Sequence, residues 1–232
     1  MTLSIVVPAL NEANNLEATV RSLNEIVPQY FKNWEILIFN DGSTDATGSI
    51  ADRLAKMDPK VKVTHHSTPR NLGACYKEGV AQATKEFIIM VPGDNECAQD
   101  VLRPVFEAAG KADMVVPYTT NSHVRPLGRR ILSRAFVETL NLLAHRKIRY
   151  YNGAVLHKTA IIRDCPIQTD GFGYQAEALV KLLRRGISFV EVPTEILYRP
   201  HGKSKALGPK NILSTVQFVL TLARESLLQR SN

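Results

Sequence analysis

The sequence has little cysteine and no long apolar segment, and these absences exclude several classes of protein. Its 232 residues include 3 cysteines, an odd number without a CxxC pair, which indicates neither a disulfide framework nor a zinc site. No apolar run approaches the roughly 18 residues that a membrane-spanning helix needs. The first residues lack the basic region of a signal peptide and become polar at Asn11. We therefore expect a cytoplasmic protein with reduced thiols that does not cross a bilayer by itself.

The chain also lacks the motifs of two common classes of binding protein. No Gly-x-Gly-x-x-Gly follows the first predicted strand, which excludes a dinucleotide-dependent dehydrogenase. Aromatic residues make up 7% of the chain, and they do not form the stacking pattern of an RNA-binding sheet. We therefore expect no nucleic-acid partner.

The charge of the chain favours an anionic partner. The formal net charge is +7 and the sequence pI is about 9.4, while 44% hydrophobic and 22% charged residues are ordinary for a globular protein. A nucleotide, a lipid phosphate or a membrane surface would suit such a charge. A merely solvated basic surface is the alternative, and the composition leaves open whether the protein forms oligomers.

Alternating apolar runs and helical patterns predict an α/β fold. Residues 3–9, 34–39, 61–65 and 87–91 are apolar segments of strand length, separated by helical patterns. This repetition favours a mostly parallel central sheet flanked by helices. Further along we expect a helix at 100–110, a strand at 113–118, a polar, basic connector at 119–134, a helix to 145, a strand or turn at 150–155, a helix over 171–185 and a strand at 187–192.

Polar loops follow the first four predicted strands and begin at Pro8, Asn40, Arg70 and Pro92. Loops at the carboxyl ends of parallel strands build the ligand site of such a sheet. The fourth loop, residues 92–96, places two carboxylates directly after a buried strand. That position suits a metal-bound phosphate.

Several motifs occur in an order that resembles the family 2 glycosyltransferases with a GT-A (Rossmann-like) fold, most closely the dolichol- or polyprenyl-phosphate sugar synthases. The resemblance covers roughly residues 3–207. It implies an inverting transfer of a sugar from a UDP- or GDP-linked donor to a polyprenyl or dolichyl phosphate. The motifs are Ile5-Val-Val-Pro8-Ala-Leu-Asn11-Glu12, Asn40-Asp41-Gly42-Ser43-Thr44-Asp45, Asn71-Leu-Gly73, the strand to Asp94, Gly171-Phe-Gly-Tyr-Gln-Ala-Glu177, Glu191-Val192-Pro193 and Arg199-Pro-His-Gly202-Lys203-Ser204-Lys205.

The resemblance implies a site for the nucleotide-sugar and a divalent cation, Mg²⁺ or Mn²⁺. The family usually has two acidic residues at the start of the second motif, and here the first is Asn40. The family's Asp-x-Asp metal motif aligns with residues 92–96, so Pro92 replaces its first carboxylate, and Asp94 and Glu96 remain as metal ligands. The residues implied to bind the donor are Pro8, Asn11, Glu12, Asn40, Asp41, Asn71, Gly73, Gly93 and Asp94.

The resemblance also implies catalytic and acceptor residues in the second half of the chain. Gln175 and Glu177 lie where the family opens a helix near the acceptor. A hydroxyl acceptor would need Glu177 as a general base, whereas a phosphate acceptor is already anionic. The catalytic set is therefore Asp94, Gln175, Glu177 and Arg199, and the phosphate or acceptor set is Arg129, Arg130, Arg134, Arg199, Lys203, Ser204 and Lys205.

Three functions remain open at this point. Besides the polyprenyl-phosphate reaction, the chain could transfer a sugar to a glycan hydroxyl with Glu177 as the base. It could also be a catalytically impaired, nucleotide-binding paralogue, because Pro92 removes one expected metal ligand.

We divide the chain into a GT-A domain at 1–208, with a nucleotide-sugar half at 1–118 and an acceptor half at 119–208, and an amphipathic C-terminal helix within 209–232. An apolar stripe with basic borders runs along residues 211–228. This helix could lie in a membrane interface, dock on the domain or pair with another subunit. A peripheral position on the cytoplasmic membrane face is the corresponding expectation.

Overall fold

The computed structural model describes residues 1–95, 99–121, 126–195 and 218–224. One seven-stranded sheet runs through it in the order β3-β2-β1-β4-β6-β5-β7. The strands are β1 (Thr2–Ala9), β2 (Asn33–Asp41), β3 (Val61–His66), β4 (Phe87–Met90), β5 (Met114–Thr119), β6 (Leu156–Lys158) and β7 (Phe189–Thr194).

The sheet is parallel except at β6, which pairs antiparallel with both β4 and β5. Strand β4 is buried at all four positions, and β1 is buried at seven of its eight. Continuous apolar runs of this kind are typical of strands covered on both faces. The expected α/β fold with a mostly parallel sheet is confirmed.

Helices cover the two faces of the sheet and enclose two hydrophobic cores. Because side chains alternate along a strand, Ile5 and Val7 of β1 enter one core and Val6 the other. The first core packs against α1, α2 and α4, and the second packs against α3, α5 and α7. The helices are α1 (Leu16–Ile26), α2 (Thr47–Met57), α3 (Leu72–Gln82), α4 (Gln99–Glu107), α5 (Leu127–Ala144), α6 (Thr159–Arg163) and α7 (Tyr174–Arg184).

Strand register brings the carboxyl ends of β1, β2 and β3 together at one edge of the sheet. Ala9 is opposite Asn40, and Asn40 in turn is opposite His65. Val6 is opposite Met90, so the loop after β4 emerges beside the loop after β1. The four predicted site loops thereby begin at the same edge of the sheet.

The second half of the chain differs from the sequence expectation at its start. Residues 119–134 were expected to be a connector, but α5 begins at Leu127 and continues to Ala144. Its buried side chains, such as Leu140, contact the core, and the polar residues of its first turns remain outside. Arg129, Arg130 and Arg134 therefore lie on a helix rather than on a loop. The expected strand or turn at 150–155 is irregular, and the strand β6 begins directly after it.

The C-terminal segment packs on the domain where the structure describes it. Residues 218–224 are helical, and Phe218 and Leu222 are buried in the same core as α7. The guanidinium of Arg184 donates a hydrogen bond to the carbonyl of Leu222 over 3.2 Å. Of the three fates considered for the predicted helix at 211–228, this part follows docking. Across the described ranges, no helix has both the length and the apolar character needed to cross a membrane.

Candidate active site

The loops after β1 and β2 are joined by hydrogen bonds. The backbone N–H of Asn11 donates to Ser43 Oγ over 3.0 Å, and Asn11 Oδ1 accepts from the N–H of Thr44 over 2.8 Å. The N–H of Glu12 donates to Thr47 Oγ1 over 2.8 Å. Asn11 has a φ of 57°, a left-handed conformation that asparagine tolerates better than most residues. The two predicted donor-binding motifs therefore form one ordered surface.

The first position of the second motif, Asn40, is nearly buried and faces a histidine. Its Nδ2 lies 2.9 Å from Nδ1 of His65. Nε2 of His65 lies 3.0 Å from a carboxylate oxygen of Asp52. An Nε2–H tautomer satisfies both contacts, because Nδ1 can then accept from the Asn40 amide.

The second position, Asp41, lies at the base of the site and is 4% exposed. Its two carboxylate oxygens accept the backbone N–H groups of Arg70 over 2.8 Å and of Asn71 over 2.9 Å. The same carboxylate contacts His66 Nδ1 at 2.8 Å. Its carboxylate therefore orders the loop before α3, and the contact of Asp41 with the nucleotide stays a prediction.

That loop carries a constrained backbone. Asn71 has φ 74° and ψ 167°, a region that residues other than glycine rarely occupy. The N–H of Gly73 donates to the carbonyl of Asp170 over 2.7 Å, and a Cβ on Gly73 would lie 2.4 Å from the carbonyl oxygen of Thr169. Glycine is thus required where this loop meets the segment that leads into α7.

The loop after β4 is fixed against the loop after β1. The N–H of Gly93 donates to the carbonyl of Pro8 over 3.0 Å, and a Cβ on Gly93 would lie 3.1 Å from Cβ of Ala9. Asp94 follows as a half-buried carboxylate at the carboxyl edge of the sheet. The second predicted metal ligand, Glu96, lies outside the described residues.

Glu177 is a buried residue in the first turn of α7 and is 3% exposed. One oxygen accepts the N–H of Gln168 over 2.9 Å, the other accepts the N–H of Thr169 over 2.8 Å, and Lys181 Nζ lies 2.7 Å away. Burial alone would raise the pKa of Glu177, but these hydrogen bonds hold it below its ordinary value. A carboxylate with a lowered pKa and both oxygens occupied is a poor general base. The geometry shows that Glu177 holds the segment before α7, and its catalytic role stays a prediction.

Gln175 points into the core rather than toward an acceptor. It is 4% exposed, and its Nε2 lies 3.2 Å from Nε2 of His157. Burial lowers the pKa of His157 to about 3, so the ring is neutral and accepts the amide proton. The catalytic role of Gln175 also stays a prediction.

A basic cavity of about 170 Å³ opens between α5 and the segment before β6. Three arginines line it, Arg130 and Arg134 of α5 and Arg149. The other lining residues are Thr119, Ser133, Val137 and Tyr150.

Arg149 is the residue of this cavity that the motifs did not identify. Its guanidinium carbon lies 4.2 Å from the centre of the Tyr118 ring, a cation–π contact. Its Nε lies 3.9 Å from a carboxylate oxygen of Glu191, and its backbone N–H donates to the same side chain. The only sequence signal was the basic run at 146–149. Arg129 is not among the lining residues, and Arg199, Lys203, Ser204 and Lys205 fall outside the described residues.

Three side chains that could ligate a metal lie close together beneath the loop before α3. Ligand atoms of Asp41, His66 and Cys75 lie within 4.8 Å of one another. Asp41 already accepts two backbone amides, and burial raises the pKa of the Cys75 thiol to about 12. We therefore interpret these side chains as a hydrogen-bonded cluster rather than as a metal site.

Solved structures share this fold. The glucosyl-3-phosphoglycerate synthase of Mycobacterium tuberculosis in complex with phosphoglyceric acid superposes with a TM-score of 0.70 at 17% identity, covering 95% of this chain and 79% of that chain. A second structure of that enzyme contains Mn²⁺, UDP and glucosyl-3-phosphoglycerate, and its TM-score is 0.66 at 18% identity over 97% of this chain and 79% of that chain. The likeness confirms the GT-A fold.

Two curated proteins are similar in sequence over most of their length. An undecaprenyl-phosphate mannosyltransferase of Micrococcus luteus is 28% identical over 226 residues, covering 90% of this chain and 88% of that protein. A polyprenol monophosphomannose synthase of Mycolicibacterium smegmatis is 29% identical over 220 residues, covering 88% of this chain and 80% of that protein. The model of the family described as glycosyl transferase family 2 matches residues 4–166. The motif order, the fold and this match agree, and the chain belongs to glycosyl transferase family 2.

Proposed function

We propose that this glycosyltransferase moves a sugar from a nucleotide-sugar to a polyprenyl phosphate. The observation that carries the proposal is the cavity lined by Arg130, Arg134 and Arg149. Guanidinium groups pair with phosphate oxygens through two parallel hydrogen bonds. Two relatives whose names specify polyprenyl-phosphate mannosyl transfer support the same acceptor class.

The hydrogen bonds of Glu177 bear on whether the acceptor is a phosphate or a glycan hydroxyl. A hydroxyl nucleophile requires a base, and the carboxylate that the sequence suggests for this role, Glu177, is occupied by two backbone amides and Lys181. A phosphate monoester is already anionic near neutral pH and attacks without a strong base. The occupied carboxylate therefore favours the phosphate acceptor.

In the proposed reaction, the arginines of the cavity orient the acceptor phosphate toward the anomeric carbon of the donor sugar. A phosphate oxygen forms the new bond to that carbon. The bond between the carbon and the donor diphosphate breaks on the opposite side, and the nucleoside diphosphate leaves with the electron pair. The anomeric configuration is therefore inverted, as proposed from the sequence.

The donor would lie over the surface formed by Pro8, Asn11, Glu12, Asn40 and Asn71, with Gly73 and Gly93 shaping the loops beneath it. Asp41 would act through the loop that it orders. We assign the divalent cation, Mg²⁺ or Mn²⁺, to Asp94 with Glu96. The hard carboxylate oxygen of Asp94 fits such a cation. The hydrogen bond from the Gly93 N–H to the carbonyl of Pro8 fixes the loop that carries Asp94. When bound, the cation would neutralise charge on the donor diphosphate.

We assign the membrane contact to the outer face of α5 rather than to the C-terminal helix. Leu127, Ile131 and Leu132 are 67%, 63% and 55% exposed. Arg130 and Arg134 lie beside them on the same helix and line the proposed phosphate cavity. An apolar stripe next to basic residues suits the headgroup region of an anionic membrane, where a lipid-linked acceptor would be presented.

The function is tested with a panel of UDP- and GDP-sugars and two matched acceptors of the same chain length, a polyprenyl phosphate and the corresponding polyprenol. We expect transfer to the phosphate and none to the alcohol. Equal transfer to the polyprenol or to a glycan would support the hydroxyl mechanism instead. If the chain binds nucleotide but transfers no sugar from any donor, it is a catalytically impaired paralogue.

A further inference from the structure

His66, the last residue of β3, lies between two carboxylates. Its Nδ1 is 2.8 Å from Asp41 Oδ1, and its Nε2 is 3.0 Å from Glu78 Oε2. The imidazole is 6% exposed, so water does not take the place of either partner. A neutral imidazole has one N–H, and its second nitrogen would direct a lone pair at a carboxylate. Only the doubly protonated ring satisfies both contacts.

The groups around the ring are consistent with a cation there. Besides the two carboxylates, Arg70 pairs with Glu78, and Cys75 of α3 contributes a neutral, buried thiol. The Phe39 ring packs at 6.1 Å between centroids. Burial lowers the pKa of His66, but Asp41 and Glu78 outweigh that effect, so the pKa is raised above its ordinary value. An imidazolium and Arg70 together balance the two carboxylates.

This bridge supports the strained loop of the donor site. The Asp41 carboxylate that contacts His66 also accepts the N–H groups of Arg70 and Asn71. Asn71 is the residue with φ 74° and ψ 167°, and a rare backbone conformation persists only where its surroundings enforce it. The loop then continues to Gly73 and its bond to Asp170. His66 therefore fixes both carboxylates that hold the first part of this loop.

We infer that His66 is a positioning residue that works as an imidazolium: it bridges Asp41 and Glu78 and so holds the 70–73 loop in the shape that binds the nucleotide-sugar. Its contribution to donor binding rests on the proposed function, whereas the ionisation state of the ring does not. Loss of the proton breaks one of the two contacts, loosens the loop and weakens donor binding. The rate at saturating donor changes little, since the ring does not touch the reacting atoms.

The ionisation is measured first, by nitrogen NMR of the full chain labelled in its histidine rings, with His66→Gln identifying the signal. We expect the protonation midpoint of His66 to lie above about 6.5, the ordinary value for histidine, with a proton on each ring nitrogen below that midpoint. Glu78→Gln keeps the shape of that side chain and should move the midpoint to lower pH. A midpoint at or below the ordinary histidine value, or a midpoint unaffected by Glu78→Gln, would overturn the inference. Stoichiometric Zn²⁺ binding that Cys75→Ser abolishes would also overturn it.

The effect on binding is then measured as donor KM and kcat against pH. In the wild type, donor KM should rise as the pH passes the NMR midpoint, while kcat stays constant. His66→Gln should raise donor KM about tenfold below that midpoint, the order expected for a lost hydrogen bond to a charged group, and should remove the pH dependence. His145→Asn, a change at an exposed residue after α5, should behave as wild type.

The outcomes separate this inference from the function itself. A wild-type KM profile in His66→Gln contradicts the positioning role even if transfer to polyprenyl phosphate is found. If no nucleotide-sugar supports transfer, the proposed function fails. The NMR titration, together with the UDP and GDP affinities of His66→Gln and Glu78→Gln, then still decides whether the bridge holds the loop.

Discussion

The replacement Glu177→Gln distinguishes a structural carboxylate from a catalytic base. Glutamine has nearly the same shape, but one carboxylate oxygen becomes an NH₂ group. At the Oε1 position that group faces the backbone N–H of Gln168 and the ammonium of Lys181. At the Oε2 position it faces the backbone N–H of Thr169. All three of these groups are donors. The variant therefore loses at least one hydrogen bond and leaves the Lys181 ammonium, 11% exposed, without its counter-charge.

The expected loss of stability follows from these contacts. A hydrogen bond to a charged group contributes about 1.5–3 kcal/mol, and removing one partner of a buried ion pair costs about 3–5 kcal/mol. Because glutamine retains one acceptor, we expect the free energy of unfolding to fall by about 3 kcal/mol. For a chain of this size that corresponds to a Tm lower by about 6–12 °C. Glu138→Gln, on the exposed face of α5, is the matched control and should leave Tm unchanged.

Transfer is assayed well below the lower Tm. A positioning role predicts that kcat falls by less than about tenfold, whereas loss of a general base costs about 10²–10⁴-fold. A thousandfold loss of kcat with unchanged Tm would refute our assignment of Glu177.

The pH dependence of stability gives a second measurement on the same variant. The pKa of Glu177 is lower in the folded chain than its ordinary value near 4.5. The carboxylate's contribution is therefore fully present above that pH and is lost as the pH falls through the folded pKa. In Glu177→Gln this part of the acid destabilisation should be missing from the unfolding curves. Identical acid limbs in the two proteins would contradict the ionised, hydrogen-bonded state.

Three further results are expected. Arg149→Ala should raise the KM for polyprenyl phosphate about tenfold with a smaller effect on donor KM, because one phosphate-binding guanidinium is lost. Arg146→Ala, at an exposed residue of the same basic run, should leave the KM for polyprenyl phosphate unchanged. An equal effect of both changes would contradict the cavity assignment. Asp94→Asn should reduce transfer at least 10²-fold and weaken Mn²⁺ binding in parallel, and activity that survives both Asp94→Asn and chelation would exclude Asp94 as the ligand. Replacing Leu127 and Ile131 by Asn should reduce flotation with anionic liposomes without changing Tm, since both side chains are more than half exposed; unchanged flotation would exclude this face of α5.

The fold could be predicted from the sequence because its strands are locally unambiguous. The apolar runs at 3–9 and 87–91 have no alternative to burial on both faces, and the structure places β1 and β4 at the centre of the sheet. The start of α5 could not be predicted in this way. Its first turns are rich in arginine and follow a polar stretch, so they lack the apolar periodicity that indicates a buried helix face. The buried residues of α5, Leu140 and Ala144, come only near its end.

The motifs predict which loops form the candidate site, but they do not show which way each side chain points. Asp41 and Glu177 stand at positions where acidic residues signal ligand contact, yet both carboxylates are used to hold backbone amides. The distinction depends on partners that are distant in sequence. Arg149 shows the opposite case, since its position in the cavity depends on packing against Tyr118 and Glu191 and no short motif encodes it.

The contact between Gly73 and Asp170 limits how this chain can be recombined with its relatives. Gly73 lies in the first half of the chain, in the loop before α3, and Asp170 lies in the second half, in the segment before α7. A Cβ at Gly73 would strike the backbone of that segment. Lys77 adds an ion pair to Asp170 at 2.6 Å. A chimera that exchanges one half for that of another glycosyltransferase would separate two loops shaped to fit each other. The exchangeable unit is therefore not a half of the chain but a half together with the loop it meets.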